Sequence, residues 1–211
     1  MTAGMNERDM AKRAAMEVKD GFFVNLGIGM PTLVLEFIPT NETVFFHTEN
    51  GLMGMAGFAV AGEKHPDLVD AAKKPVTCIP GASFFPSDIS FAMIRGGHLD
   101  LAIMGAYQVS EKGDLANWTA PGMVPSIGGA MDIAVGVKRI IVMMTHTTKD
   151  GNPKIVKELT YPVTGKSCVS MIITNLCVMD VTENGLVLKE LAPGITKEMV
   201  INSTDANLQF K

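Results

Sequence analysis

Phe22-Phe23-Val24-Asn25-Leu26-Gly27-Ile28-Gly29-Met30-Pro31 is the stretch on which the fold turns. Phe22 to Leu26 is an apolar run of strand length, and Gly27 and Gly29 interrupt it. Pro31 stands where a proline suits the first turn of a helix. The stretch therefore predicts a buried strand, a glycine turn and a helix from about Pro31 to Ile38, stopped by Pro39.

The rest of the chain repeats that alternation. Upstream, Asn6 reads as an N-cap, with Met10, Ala14 and Val18 on one helical face and Gly21 as the stop. Downstream, strands are expected at Thr43–His47, Val76–Ile79, Leu99–Met104, Lys138–Met144 and Ile155–Leu159. Leu99–Met104 lacks polar alternation, as a strand buried on both faces does. Helices are expected from Ser87 or Asp88 to Arg95, from Gly128-Gly129-Ala130 to Val135, and after Thr196. Lys112–Pro125 reads as loop, and Cys168–Ile173 fits helix and strand equally. This pattern predicts an α/β fold, an open, mostly parallel sheet covered by helices on both faces. No linker or composition shift divides residues 1–211, so one domain is expected.

Composition narrows the function classes. Hydrophobic residues make up 47% and charged residues 19%, enough for a well-buried core. A net charge of −4 leaves no basic footprint for nucleic acid. No apolar run is long enough to cross a bilayer, and Glu7, Arg8, Asp9, Lys12 and Arg13 do not resemble a signal core. Cys78, Cys168 and Cys177 are odd in number and unpaired in spacing, which fits reduced thiols in the cytoplasm. His47, His65, His98 and His146 are scattered and form no metal-ligand pair, so each reads as a surface or capped core histidine. No metal site is expected.

Chemistry points to Thr48-Glu49-Asn50-Gly51, a carboxylate following the apolar run Val44-Phe45-Phe46. A glutamate at the end of a strand in an α/β sheet stands where ligands bind. Those four residues together with Leu52 recur as Thr182-Glu183-Asn184-Gly185-Leu186 between two β-rich runs, Leu176–Val181 and Leu186–Leu191. That copy reads as a hairpin turn, because Asn-Gly accepts the positive φ angles of a tight loop. The first copy is followed by Leu52-Met53-Gly54-Met55-Ala56-Gly57, which shows no alternation and reads as flexible. This contrast favours a functional reading of Glu49.

Two glycine groups add to it. Gly27 and Gly29 allow backbone N–H groups to approach an anion. A dinucleotide-binding turn is the rival reading, since Glu49 lies about 20 residues on. Thr32 fills the position of the third glycine and Pro31 removes an N–H group, and both weaken that rival. Gly128-Gly129 precedes a helix and offers unhindered donors for an oxyanion. Asn25 and Asn117 are amides that could orient an acyl group or satisfy backbone.

Six stretches in order make the chain similar to the β subunit of family I CoA-transferases, the 3-oxoacid CoA-transferases. They are Val24–Gly29 with Pro31-Thr32, Glu49-Asn50-Gly51, Pro80-Gly81-Ala82, Ser90–His98, Gly113–Trp118 and Gly128–Asp132. The resemblance spans nearly the whole chain. It implies a three-layer architecture shared with ribose-5-phosphate isomerases. It implies Glu49 as nucleophile, Gly129 in the oxyanion hole, and Asn25, Asn117, Gly27 and Gly29 lining the site. Lys73, Asn50 and Gly51 are implied at the CoA-binding region.

The implied activity moves CoA from an acyl-CoA, succinyl-CoA or acetyl-CoA, to a 3-oxo acid or short-chain carboxylate, ping-pong, through a glutamyl-CoA thioester. CoA is then substrate and covalent intermediate, with no tightly bound cofactor. The implied partner is an α subunit, in a cytoplasmic heterotetramer of two α and two β subunits. Thr48 replaces the family's common serine, and Asp70-Ala71-Ala72 its Asn-Ala-Gly. Glu158–Pro162 resembles 3-oxoadipate transferases and Gly81–Phe85 succinyl-CoA:acetoacetate enzymes, so a 3-oxoadipate-specific transferase is a further reading. A non-catalytic CoA- or anion-binding module and a sugar-phosphate isomerase are the readings from other classes.

Overall fold

The computed structural model describes residues 3–40 and 43–210. It opens with helix α1 (Glu7–Ala15), strand β1 (Phe23–Leu26) and a 3-10 helix (Met30–Phe37). Strands β2 (Phe45–Thr48), β3 (Leu52–Phe58) and β4 (Val76–Phe84) follow, then α2 (Ser87–Arg95) and β5 (Leu101–Met104). Next come β6 (Gln108–Ser110), β7 (Leu115–Ala116), α3 (Ala130–Gly136), β8 (Ile140–Met144) and β9 (Ile155–Val156). The chain closes with β10 (Val169–Thr174), β11 (Cys177–Thr182), β12 (Gly185–Leu191), α4 (Lys197–Asn202) and β13 (Leu208–Phe210).

Ten strands form one sheet in the order β13-β12-β11-β10-β8-β5-β1-β2-β3-β4. Its centre, β10-β8-β5-β1-β2, is parallel throughout. β11 and β12 on one side, and β3 and β4 on the other, add antiparallel pairs. β5 and β8 are buried at every residue, as central parallel strands are. Their side chains alternate between two apolar layers. Leu101, Ile103, Ile141 and Met143 join Met10, Ala14 and Val34 from α1 and the 3-10 helix. Ala102, Met104, Ile140 and Val142 join Ile94 and Ile133 from α2 and α3. A second small sheet, β7-β6-β9, covers part of that latter face, with Val109, Leu115 and Ile155 fully buried.

The chain order of the strands reverses beside β1: β2 pairs on one side and β5 on the other. In open α/β sheets such a reversal leaves a crevice at the carboxyl ends of the strands. Among the described residues no helix is long and apolar enough to cross a membrane.

Several elements differ from expectation. Leu52–Gly57, expected to be flexible, lies within strand β3, paired antiparallel with β2 through Thr48 and Leu52. Register shifts at Met53/Met55 and Met55/Gly57 disrupt its alternation, and Gly54 has φ +100° where an added β-carbon would lie 3.0 Å from the Ala82 Cβ. Glu49-Asn50-Gly51 is thus itself a hairpin turn, and the contrast drawn between the two pentapeptides does not hold in that form. The helix after Gly29 winds as 3-10, its first turn closed by Thr32 donating to the Gly29 carbonyl. α1 stops at Ala15, short of Gly21, although its Asn6 cap forms a full capping box with Asp9. Part of the Lys112–Pro125 loop is β7, and the ambiguous segment is strand β10.

Candidate active site

A cleft of about 550 Å³ opens at the carboxyl ends of the central strands. Gly27 and Ile28 after β1, Glu49 after β2, and Gly105, Ala106 and Tyr107 after β5 line it. The loop before α3 contributes Ser126, Ile127, Gly128 and Gly129 from across the cleft.

The β2–β3 hairpin presents Glu49. Gly51 makes that turn possible: it has φ +115°, and a β-carbon there would lie 2.0 Å from the Phe85 carbonyl oxygen. The Phe85 N–H donates to the Gly51 carbonyl at 3.0 Å and ties the turn to β4. Asn50 is exposed, and its side-chain amide donates to the Val69 carbonyl at 2.9 Å, away from the cleft.

Opposite the turn, Gly129 has no room for a side chain. A β-carbon there would stand 2.8 Å from Glu49 Oε2 and 2.9 Å from the Phe91 ring. The Gly129 backbone N–H faces the carboxylate and favours its charged form. Burial acts more strongly in the other direction and, with the charge of Asp132, raises the Glu49 pKa above its ordinary value. Asp132 is itself held by Arg95 at 2.6 Å. Glu49 is therefore a half-buried carboxylate with one backbone donor, in an environment that weakens its hydration.

Behind the turn lies a buried polar chain. The Asn25 amide contacts His47 Nδ1 at 3.2 Å, and His47 Nε2 contacts Ser90 Oγ at 2.8 Å. His47 stacks on Phe85 at 6.2 Å, and burial lowers its pKa to about 4. It is neutral at physiological pH, and its partners are those of a capped core histidine. His146 has the same character, between Thr174 and Thr204 at 2.9 Å each. Among the described residues, no cluster of His, Cys, Asp or Glu could hold a metal ion.

The residues singled out from the sequence divide as follows. Asn25, Gly27, Glu49, Asn117 and Gly129 all line the cleft. The Asn117 side-chain carbonyl accepts from Thr164 Oγ1 at 2.7 Å, which fixes the amide's orientation. Gly27 packs against β5, where a β-carbon would meet the Ile103 carbonyl at 3.2 Å. Gly29, Asn50, Gly51 and Lys73 do not line the cleft. Lys73 is exposed just beyond the lining residues Asp70-Ala71-Ala72, with φ +62° in a turn closed by its N–H on the Asp70 carbonyl. Lys154, Thr48 and Tyr107 also line the cleft, although no sequence motif singles them out as site residues.

Residues 8–203 match the family model for coenzyme A transferase. The chain belongs to the coenzyme A transferase family. It is 48% identical over 201 residues to the B-type subunit of the 3-oxoadipate CoA-transferase of Acinetobacter baylyi, covering 94% of this chain and 93% of that one. It is 50% identical over 199 residues to the B-type subunit of a probable succinyl-CoA:3-ketoacid coenzyme A transferase of Bacillus subtilis, covering 94% and 92%. The chain is thus a CoA-transferase polypeptide of the B type. A solved acyl-CoA transferase from Escherichia coli O157:H7, in a thioester complex with CoA, shares the fold with a TM-score of 0.75 at 20% identity. That match takes in all of this chain and 42% of the larger one.

Proposed function

We propose that Glu49 is the nucleophile of a ping-pong CoA transfer, carried out by residues 1–211 acting as one unit alongside an α subunit. The observation that carries this reading is the juxtaposition of a partly desolvated Glu49 carboxylate and the Gly129 N–H inside the cleft.

A carboxylate is already ionised near neutral pH and needs no base to activate it. Glu49 attacks the thioester carbonyl of an acyl-CoA, and CoA thiolate leaves as the mixed anhydride forms. The thiolate then attacks the glutamyl carbonyl and displaces the acyl carboxylate, leaving CoA on Glu49 as a thioester. An incoming carboxylate attacks that thioester, forming a new mixed anhydride and freeing the thiolate. Thiolate attack on the incoming acyl carbon then releases the new acyl-CoA and restores Glu49. Each step exchanges one activated acyl bond for another, so the chemistry balances without metal, ATP or water.

The Gly129 N–H lies against Glu49 itself, so it serves the tetrahedral states built on the glutamyl carbon. A donor of this kind contributes about 3–4 kcal/mol to transition-state stabilisation. Thiolate attack and incoming-carboxylate attack both pass through such states. Asn25 and Asn117 border the same cleft and orient the acyl group. Water has to be kept from the thioester, and the relatives' designation as B-type subunits supports a companion α chain that closes the cleft. The solved E. coli transferase in its thioester complex supports CoA as the covalent passenger. The donor is succinyl-CoA or acetyl-CoA, and the acceptor a 3-oxo acid or short-chain carboxylate.

The test is to incubate the chain and its companion α chain with succinyl-CoA and no acceptor, then map peptides by mass spectrometry. CoA bound to the peptide containing Glu49, released by borohydride as the free thiol while the Glu49 side chain is reduced to the alcohol, is the expected result. CoA on another residue, or on none, overturns the proposal.

A further inference from the structure

The cleft has a second charged feature that the transfer chemistry does not use. Lys154, just before β9, is the one cation among the described residues that line it. Its ammonium makes no ion pair among the described residues. Its side-chain contact is a long one, 3.4 Å to Thr145 Oγ1. The other lining carboxylate besides Glu49 is Asp70, which accepts the N–H groups of Ala72 and Lys74 within its own turn. The neighbouring imidazole, His146, is uncharged and held by Thr174 and Thr204. Burial brings the Lys154 amine down to about 8, so the site disfavours the cation until an anion joins it.

Placement defines what that anion is. Glu49 follows β2, and Thr145, the contact of Lys154, follows β8. β1 and β5 lie between them in the sheet, a lateral spacing of three steps of about 4.8 Å. Between the two the cleft is lined by the Asn25 amide on β1, by backbone at Gly27 and Gly105, and by Met104, Met143 and Met144. A carboxylate at one end, a lone ammonium at the other and no further charged side chain between them complement a short chain that is charged at its far end.

We propose that Lys154 binds the distal carboxylate of a dicarboxylic acyl group whose other carboxyl reacts at Glu49. The orientation of the substrate rests on the Glu49 reading. The selection of a diacid rests on Lys154 alone.

The experiment is calorimetric titration of the chain with its companion α chain, using glutarate and butyrate, in wild type, Lys154→Met and Lys154→Arg. Wild type is expected to bind glutarate about tenfold or more tighter than butyrate, the worth of one charge-assisted hydrogen bond. Lys154→Met loses that preference and binds butyrate as wild type does, while Lys154→Arg keeps most of it. Equal weakening of both acids by Lys154→Met, no preference in wild type, or weaker binding of CoA alone in Lys154→Met each overturns the proposal. A failure of the Glu49 reading registers separately, as CoA missing from the Glu49 peptide while diacid discrimination persists.

Discussion

The α-carbon of Gly129 and the carboxylate of Glu49 are so close that a methyl group on the former would lie 2.8 Å from Oε2 and 3.0 Å from Cδ of the latter. One residue's lack of a side chain is what lets the other occupy its position. Gly129→Ala is expected to displace Glu49 from its backbone donor and lower kcat by about 10²–10³-fold. The thermal midpoint is expected to fall modestly as well: the backbone angles suit any residue (φ −80°, ψ 1°), but the Phe91 ring, 2.9 Å from the added methyl, has to give way. Steady-state kinetics beside a melting curve check this, and near-wild-type kcat would remove Gly129 from the mechanism.

Glu49→Gln is expected to lower transfer by on the order of 10⁴-fold or more, as loss of a nucleophile does. Glu183→Gln, in the exposed twin turn, leaves it unchanged. The first variant also gains stability at neutral pH. Burial raises the Glu49 pKa in the folded state, so folding favours the protonated form and the ionised form costs stability. That cost grows as pH rises through the folded pKa, and the amide does not incur it. The gain in melting temperature shrinks as the medium is acidified, which a pH series of both proteins measures.

Asp132→Asn removes the nearby negative charge that helps raise the Glu49 pKa. The acid limb of the pH–rate profile is expected to move to lower pH, because Glu49 then stays ionised further into acid. A limb that moves the other way would mean that another group controls it. The lost Arg95–Asp132 pair, with Arg95 well exposed, has little effect on stability.

His47 and His146 make the fold acid-sensitive. Both are held near pKa 4 by burial, below the ordinary value of 6.5. Between those values the unfolded chain binds protons that the folded chain refuses, so stability falls as pH drops from 6.5 towards 4. Replacing His146 with Gln is expected to flatten that part of the stability curve, and urea midpoints at several pH values check it.

The parts of this architecture that local chemistry dictates could be read from the residues. Asn6 and Asp9 specify the start of α1, and the unbroken apolar run at Leu101–Met104 specifies a strand buried on both faces. The position of Glu49 at the cleft was legible because a carboxylate at a strand end in an α/β sheet stands at the carboxyl edge where such clefts open. β3 was not, since bulges around Gly54 break its two-residue period. Lys154 was not legible either: it lies in a polar loop, and it meets the cleft only because β9 pairs with β6 at a distance in sequence. Charge can be counted along a chain, but whether a partner reaches it depends on tertiary placement.

The two Thr-Glu-Asn-Gly-Leu hairpin tips have identical letters, yet Thr48 pairs with Leu52 and Thr182 with Gly185, and one tip borders the strand-order reversal while the other meets open solvent. Shelter of the carboxylate therefore belongs to an address in the sheet. A carbodiimide reagent too bulky for crevices would label the exposed Glu183 ahead of its half-buried twin. Moving the pentapeptide to a third loop would carry over neither the turn nor the shelter.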